Sequence, residues 1–161
     1  MVEKSWYGLN ELLRRKYIYK YDSSGNNVEE LRYHSNGSLD NKLIYNYDSN
    51  GNMSEKSEYS SDGILFQKLT FTYDSNGNMI EKLWYDSKGT LERKYIYKYD
   101  SNGNMIEELW YDSEESLRGK VIRKYNSKTR IIEEINYKYE LKFGELQEIP
   151  TSKNTHEYLY Y

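Results

Sequence analysis

Residues 94–111 read KYIYKYDSNGNMIEELWY, and the fold follows from this stretch. Lys94 to Tyr99 and Met105 to Tyr111 are rich in aromatic and β-branched residues that alternate with polar ones, as strands do. Asp100-Ser101-Asn102-Gly103 between them is hairpin chemistry. Asp takes the first position of a type I turn, where its carboxylate accepts local backbone N–H bonds, and Gly supplies the left-handed residue of the following bulge. Asp86-Ser87-Lys88-Gly89 repeats the arrangement at the other end. Short turns at both ends allow only antiparallel neighbours, so an up-and-down meander is predicted.

The stretch is one copy of a repeat. Tyr-Asp-Ser-x-Gly-Asn recurs at Tyr21, Tyr47, Tyr73 and Tyr99, with a worn copy at Tyr125, each step being 26 residues. A second motif, Tyr-x-Ser-x-Gly-x-Leu, lies between at Tyr33, Tyr59 and Tyr85, degenerate at Tyr111, and divides the unit into halves of 12 and 14 residues. Six units starting at residues 1, 27, 53, 79, 105 and 131 fill the chain as a single repeat domain over 1–161, the last unit degenerate beyond about Phe143. Met1-Val2-Glu3-Lys4 aligns with Met79-Ile80-Glu81-Lys82, so the chain opens in mid-repeat, as expected of a segment of a longer array, of a product of repeat expansion or of a natural start at an internal Met codon. The fold class is all-β: tandem hairpins forming one twisted or curled antiparallel sheet of about 11–12 strands.

The turns set an expected register. With Asp22 paired to Asn26, Tyr21 faces Asn27, Tyr19 faces Glu29 and Tyr17 faces Leu31; with His34 paired to Ser38, Tyr33 faces Leu39 and Glu29 faces Leu43. One face then carries a tyrosine row (Tyr7, Tyr33, Tyr59, Tyr85, Tyr111, Tyr137) and a second (Tyr21, Tyr47, Tyr73, Tyr99, Tyr125). It also carries a leucine row (Leu13, Leu39, Leu65, Leu91, Leu117) and Met1, Met53, Met79 and Met105. Lys16, Lys42, Lys68, Lys94 and Lys120 fall on the other, wetter face. Glu3, Glu29, Glu55, Glu81, Glu107 and Glu133 land on the tyrosine face, where a carboxylate needs either tyrosine hydroxyls or water.

Composition narrows the function. Twenty Tyr, three Trp and three Phe stand against one Pro and no Ala or Cys, which weighs against helices and removes disulfides and thiol chemistry. The net charge is -3 with signs interspersed, which argues against a phosphate-binding basic patch and so against nucleic acid. No apolar run approaches the length of a membrane helix, and the N-terminus has no signal-peptide core, so no membrane insertion is expected.

The string Gly-Asn-Met-x-Glu-x-x-x-Tyr-x-Ser-x-Gly (Gly77 to Gly89), followed by Tyr-x-Tyr-Asp-Ser-x-Gly (Tyr97 to Gly103), resembles the YD or RHS repeat of bacterial surface and toxin proteins. The unit here is longer, and Asn stands where Arg commonly follows the glycine. Larger family members curl their strands into a shell around a toxic cargo; this chain is too short to enclose one. A weaker likeness is to MORN-variant repeat proteins, some of them antitoxins. The resemblance implies a surface or secreted location for a segment of a larger YD-repeat protein, and a cytoplasmic one otherwise. Neither family implies chemistry at a named residue.

No catalytic constellation is legible: His34 and His156 are isolated, and no nucleophile–base pair or phosphate-cradling loop is visible, so no enzyme activity and no cofactor are expected. A glutamate repeated in every unit (Glu29, Glu55, Glu81, Glu107) reads as structural, like the tyrosine rows, and not as half of a glycosidase pair. Asp100-x-Asn102-x-Asn104 spaces oxygens as a calcium loop begins, but Met105 and Tyr111 stand where such a loop needs Gly and Glu; turn propensity explains the same letters, and no metal is expected. The binding candidate is an apolar patch on the lysine-bearing face. Trp84, expected between Lys68 and Glu92, lies two strands and about 10 Å from Trp110, expected between Lys94 and Arg118. The pairs Ile80–Ile96 and Ile106–Ile122 are expected cross-strand beside them. Such a patch serves a protein or a glycan partner, or else clads and stiffens a single-layer sheet. The first strand's open edge, or the aromatic face, offers self-association. The expected function is thus a non-enzymatic scaffold or interaction module; the alternatives are an intracellular immunity- or antitoxin-like binder and, remotely, a glycan-active enzyme.

Overall fold

The computed structural model describes residues 1–7 and 13–158; the side chain of Leu13, placed above in the leucine row, lies outside the described set. Every regular element among the described residues is a strand. They are β1 (Val2–Tyr7), β2 (Leu13–Tyr21), β3 (Asn27–Tyr33), β4 (Leu39–Tyr47), β5 (Met53–Ser60), β6 (Leu65–Tyr73), β7 (Met79–Tyr85), β8 (Leu91–Tyr99), β9 (Met105–Tyr111), β10 (Leu117–Tyr125), β11 (Ile131–Lys142) and β12 (Glu145–Thr155). They follow sequence order in one antiparallel up-and-down sheet that does not close on itself. The chain forms two compact units, Met1–Phe71 with Trp84–Leu91, and Thr72–Leu83 with Glu92–Tyr161.

The turns are built as their letters dictate. In the first, Asp22 N–H donates to the Asn26 carbonyl at 3.0 Å and Gly25 N–H to the Asp22 carbonyl at 3.2 Å. Gly25 takes φ 86°, a left-handed conformation that glycine adopts without penalty. Asp22 Oδ1 accepts the amides of Ser24 and Asn26, and Oδ2 accepts Asn26 Nδ2. The same set of bonds recurs at Asp48, Asp74 and Asp100. Hydrogen bonds from Asn26 hold the Asp22 carboxyl below its ordinary range.

Beyond the turn the register departs from expectation. Tyr21 does face Asn27, but the next pair is Lys20 with Glu29, then Tyr19 with Glu30, Ile18 with Leu31 and Tyr17 with Arg32. Val28 is an extra residue, a β-bulge. At the other end Tyr33 faces Leu39 as expected, Asp40 is extra, and Glu30, not Glu29, faces Leu43. Corresponding shifts leave Ser54, Phe66, Ile106, Arg118 and Ile132 as extra residues in β5, β6, β9, β10 and β11. Side chains alternate with period two, so one inserted residue exchanges the faces of everything after it.

The exchange corrects the expected faces. Lysine and tyrosine rows assigned to opposite sides are direct cross-strand partners: Lys16 with Tyr33, Lys42 with Tyr59, Lys94 with Tyr111, Lys120 with Tyr137. Each ammonium lies over its ring, at 5.7, 5.4, 5.9 and 4.6 Å from the centroid, and Lys68 lies 4.9 Å from that of Tyr85. Such contacts contribute about 0.5–1 kcal/mol each at exposed sites. The glutamate row shares this face, and neither tyrosine hydroxyls nor water alone resolves its charge. Lys20 reaches Glu29 at 2.5 Å, Lys98 reaches Glu107 at 2.6 Å, Lys124 reaches Glu133 at 2.7 Å, and Asn46 Nδ2 donates to Glu55 at 3.3 Å.

The second tyrosine row ties strand ends together. The hydroxyl of Tyr47 donates to the Asn27 carbonyl at 2.9 Å, that of Tyr99 to Met79 at 2.8 Å, and that of Tyr125 to Met105 at 2.8 Å. Each acceptor is the first residue of the preceding strand, where chain leaves turn. On the face opposite the lysine ladder, Leu43 in the first unit and Val121 in the second are buried, and both occupy the same position in the repeat. Beside Leu43, the nearly buried Glu30 accepts Arg32 Nε at 2.7 Å and the Tyr45 hydroxyl at 2.9 Å, and burial pushes Tyr45 above the ordinary phenol range. In the second unit burial raises Tyr97, paired with Glu108, to about 12.

Two predictions follow from these ladders. Tyr99→Phe and Tyr125→Phe each remove one hydroxyl bond without altering shape and are expected to lower stability by about 1 kcal/mol, read as the urea midpoint. Glu133, held at about 2 by hydrogen bonds from Lys124 and then Lys153, has a folded value below its ordinary 4.5. Its contribution is present above 4.5 and is lost as pH falls toward 2. The urea midpoint of Glu133→Gln is therefore expected to fall less steeply between those pH values than that of the parent chain.

Candidate functional site

The second unit carries a recess of about 310 Å³ lined by Glu92, Arg93, Trp110, Tyr111, Asp112 and Arg118. It forms where β9 runs into its turn with β10. Trp110 pairs with Tyr95 on β8 and with Gly119 on β10, not with Lys94 and Arg118 as expected. It therefore lies on the face opposite the lysine row. Gly119 shows how closely the indole sits on β10: a Cβ built there would come 1.9 Å from Trp110 Cζ2 and 2.3 Å from Cε2. The ring occupies the space of the missing side chain. Arg118 is the bulge residue of β10, re-aimed by the bulge, and its Nε meets Asp112 Oδ2 at 2.5 Å on the rim. Chemically the recess offers an aromatic plate with carboxylates and guanidinium groups around it.

The other expected site residues are dispersed. Lys94 lies on the opposite face, over Tyr111 and 3.8 Å from both Glu81 and Glu115. Ile106 is a bulge residue, so the expected Ile106–Ile122 pair does not form; Ile122 faces Glu107 on one side and Ile135 on the other. Ile96 faces Leu109. Ile80 lines a separate recess of about 470 Å³ with Tyr97, Tyr99 and the turns at Asp74 and Asp100. Trp84, near the end of β7, is half-buried and belongs to the first unit. The carboxylate of Asp100, weighed as a calcium donor, accepts Asn102 N, Asn104 N and Asn104 Nδ2 within its own loop.

Gly119 is the residue that sequence reasoning missed. A signal for it exists: the equivalent positions hold Arg15, Asn41, Gln67 and Arg93, and a lone glycine in a strand marks a close approach.

No family model matches the chain, and neither does any curated protein. Among solved structures, a porin-like protein from Bacteroides uniformis shares 11% identity and a TM-score of 0.55, over 96% of this chain and 76% of its own. Looser matches at 14% identity are a protein of unknown function from Bacteroides fragilis (TM-score 0.36, 92% of this chain and 96% of that one) and the Tc holotoxin pore of Photorhabdus luminescens (TM-score 0.40, 81% and 7%). The likeness to the porin-like protein is one of fold: a β-meander of repeated hairpins.

Gly119→Ala should force the indole of Trp110 off β10. The expected outcome is a shift in tryptophan emission and a lowered melting temperature with the strand signal in circular dichroism retained; unchanged emission would mean that the ring does not rest there.

Proposed function

We propose that this chain is a non-enzymatic repeat scaffold of the YD or RHS kind, from a bacterial surface or secreted protein, that holds a carbohydrate against Trp110. The observation that carries the reading is the indole packed against Gly119 in an open recess with Glu92, Arg93, Asp112 and Arg118 around it. The apolar C–H face of a sugar ring packs on such a plate, while charged groups at the edge bond its hydroxyls. The YD or RHS assignment rests on the Tyr-Asp-Ser-x-Gly-Asn punctuation, and the non-enzymatic one on carboxylates already engaged in turns and ion pairs.

A glycan array followed by calorimetry on its hits tests this. Saccharide binding is expected in the parent chain, lost by at least tenfold in Trp110→Ala, and accompanied by no change in the saccharide's mass on prolonged incubation. Equal affinity in the variant would remove Trp110 from the site, and a cleaved product would replace the scaffold with an enzyme.

A further inference from the structure

The hairpin of β11 and β12 outruns its neighbour. The pairing of β10 with β11 ends at Gly119 with Lys138, whereas β11 and β12 stay paired out to Lys142 with Glu145. Tyr139–Lys142 and Glu145–Glu148 thus project as a two-stranded ribbon. Leu141 and Leu146 are direct partners near its tip, 74% and 53% exposed, and Phe143 in the turn is 106% exposed. The ribbon's other face is polar, with Glu140 opposite Gln147 and bridged to Lys138 at 2.5 Å and Lys142 at 3.6 Å.

Phe143 is also in the wrong conformation for its type. Phe143 and Gly144 take φ 53° and 82°, the left-handed pair that a two-residue hairpin turn requires and that Asn-Gly supplies without strain. A bulky side chain held at positive φ and fully in water is a local cost without a local gain, which points to a role outside the chain.

We propose that Phe143 is a knob that fills the Trp110 recess of a second copy of this chain. The recess of about 310 Å³ has room for a phenyl ring, and Trp110 and Tyr111 give it aromatic walls. Lys142 and Glu145 flank the knob, and Glu92 and Arg93 line the recess, so charges of both signs can meet across the contact. Within the second unit the ribbon tip and the recess lie at the same end of the strands, because β11 runs back toward the turn that joins β9 to β10. A two-fold axis at that end lets each copy give one knob and accept one. Two contacts this small form a weak, transient dimer. The inference shares its recess with the proposed saccharide, so ligand and partner copy exclude each other.

Analytical ultracentrifugation of the full chain up to about 1 mM tests it. The parent chain is expected to dimerise, and Phe143→Asn to be monomeric yet to melt higher, because the turn strain is gone. Trp110→Ala is expected to be monomeric as well, since it keeps the knob but has lost the recess. A monomeric parent chain, a dimeric Phe143→Asn or a dimeric Trp110→Ala would overturn the proposal. Phe143→Asn retains the recess, so its binding to a saccharide found on the array is expected to match the parent chain's at concentrations where the parent is monomeric. Loss of the dimer alone and failure of the saccharide reading are thereby told apart.

Discussion

In the turns headed by Asp22, Asp48, Asp74 and Asp100, the carboxylate governs what lies downstream. Asp22, Asp48, Asp74 and Asp100 each bind two backbone amides and an asparagine side chain of their own loop, which fixes where the chain re-enters the sheet. The entry point determines that one residue, such as Val28 or Ser54, is left over as a bulge. The bulge in turn decides which side chains meet across strands. Register in this protein is thus set locally, loop by loop, and hydrophobic burial has little to do with it: among the described residues, Leu43 and Val121 are the buried apolar ones.

A sheet with so small a dry core holds together by many modest contacts between neighbours. Lysine over tyrosine, lysine beside glutamate, and tyrosine hydroxyl on a carbonyl at the strand end recur with each repeat. Each is worth little where water reaches it, and the array supplies them in series. Tyrosine suits both positions, since its ring covers a neighbour while its hydroxyl reaches a polar partner. The abundance of that residue is therefore a structural requirement of a layer without a deep interior.

The strands, their order and the turn geometry were legible from the 26-residue spacing and from Asp-x-x-Gly punctuation, because both act over a few residues. Faces were not. Val28 and Asp40 carry no letter that announces a bulge, and an alternation count that skips them places Lys16 and Tyr33 on opposite sides. The signal overlooked was charge: Glu29 set against Tyr19 has no counter-ion, whereas one step along it meets Lys20. For the site, Trp110 was visible as an aromatic without a core to enter. Its true neighbours, Tyr95 and Gly119, follow only from the corrected register, and the strained Phe143 only from backbone angles.

Because half-units such as β3, β4, β5, β6, β9, β10 and β11 each bring their own turn and their own leftover residue, the assignment of sides resets with each of them. Unequal recombination in the coding DNA can then add or drop whole 26-residue segments while the lysines of the ladder still find their tyrosines. Array length becomes a variable free of the folding problem, and a lineage can adjust its reach without redesigning a core.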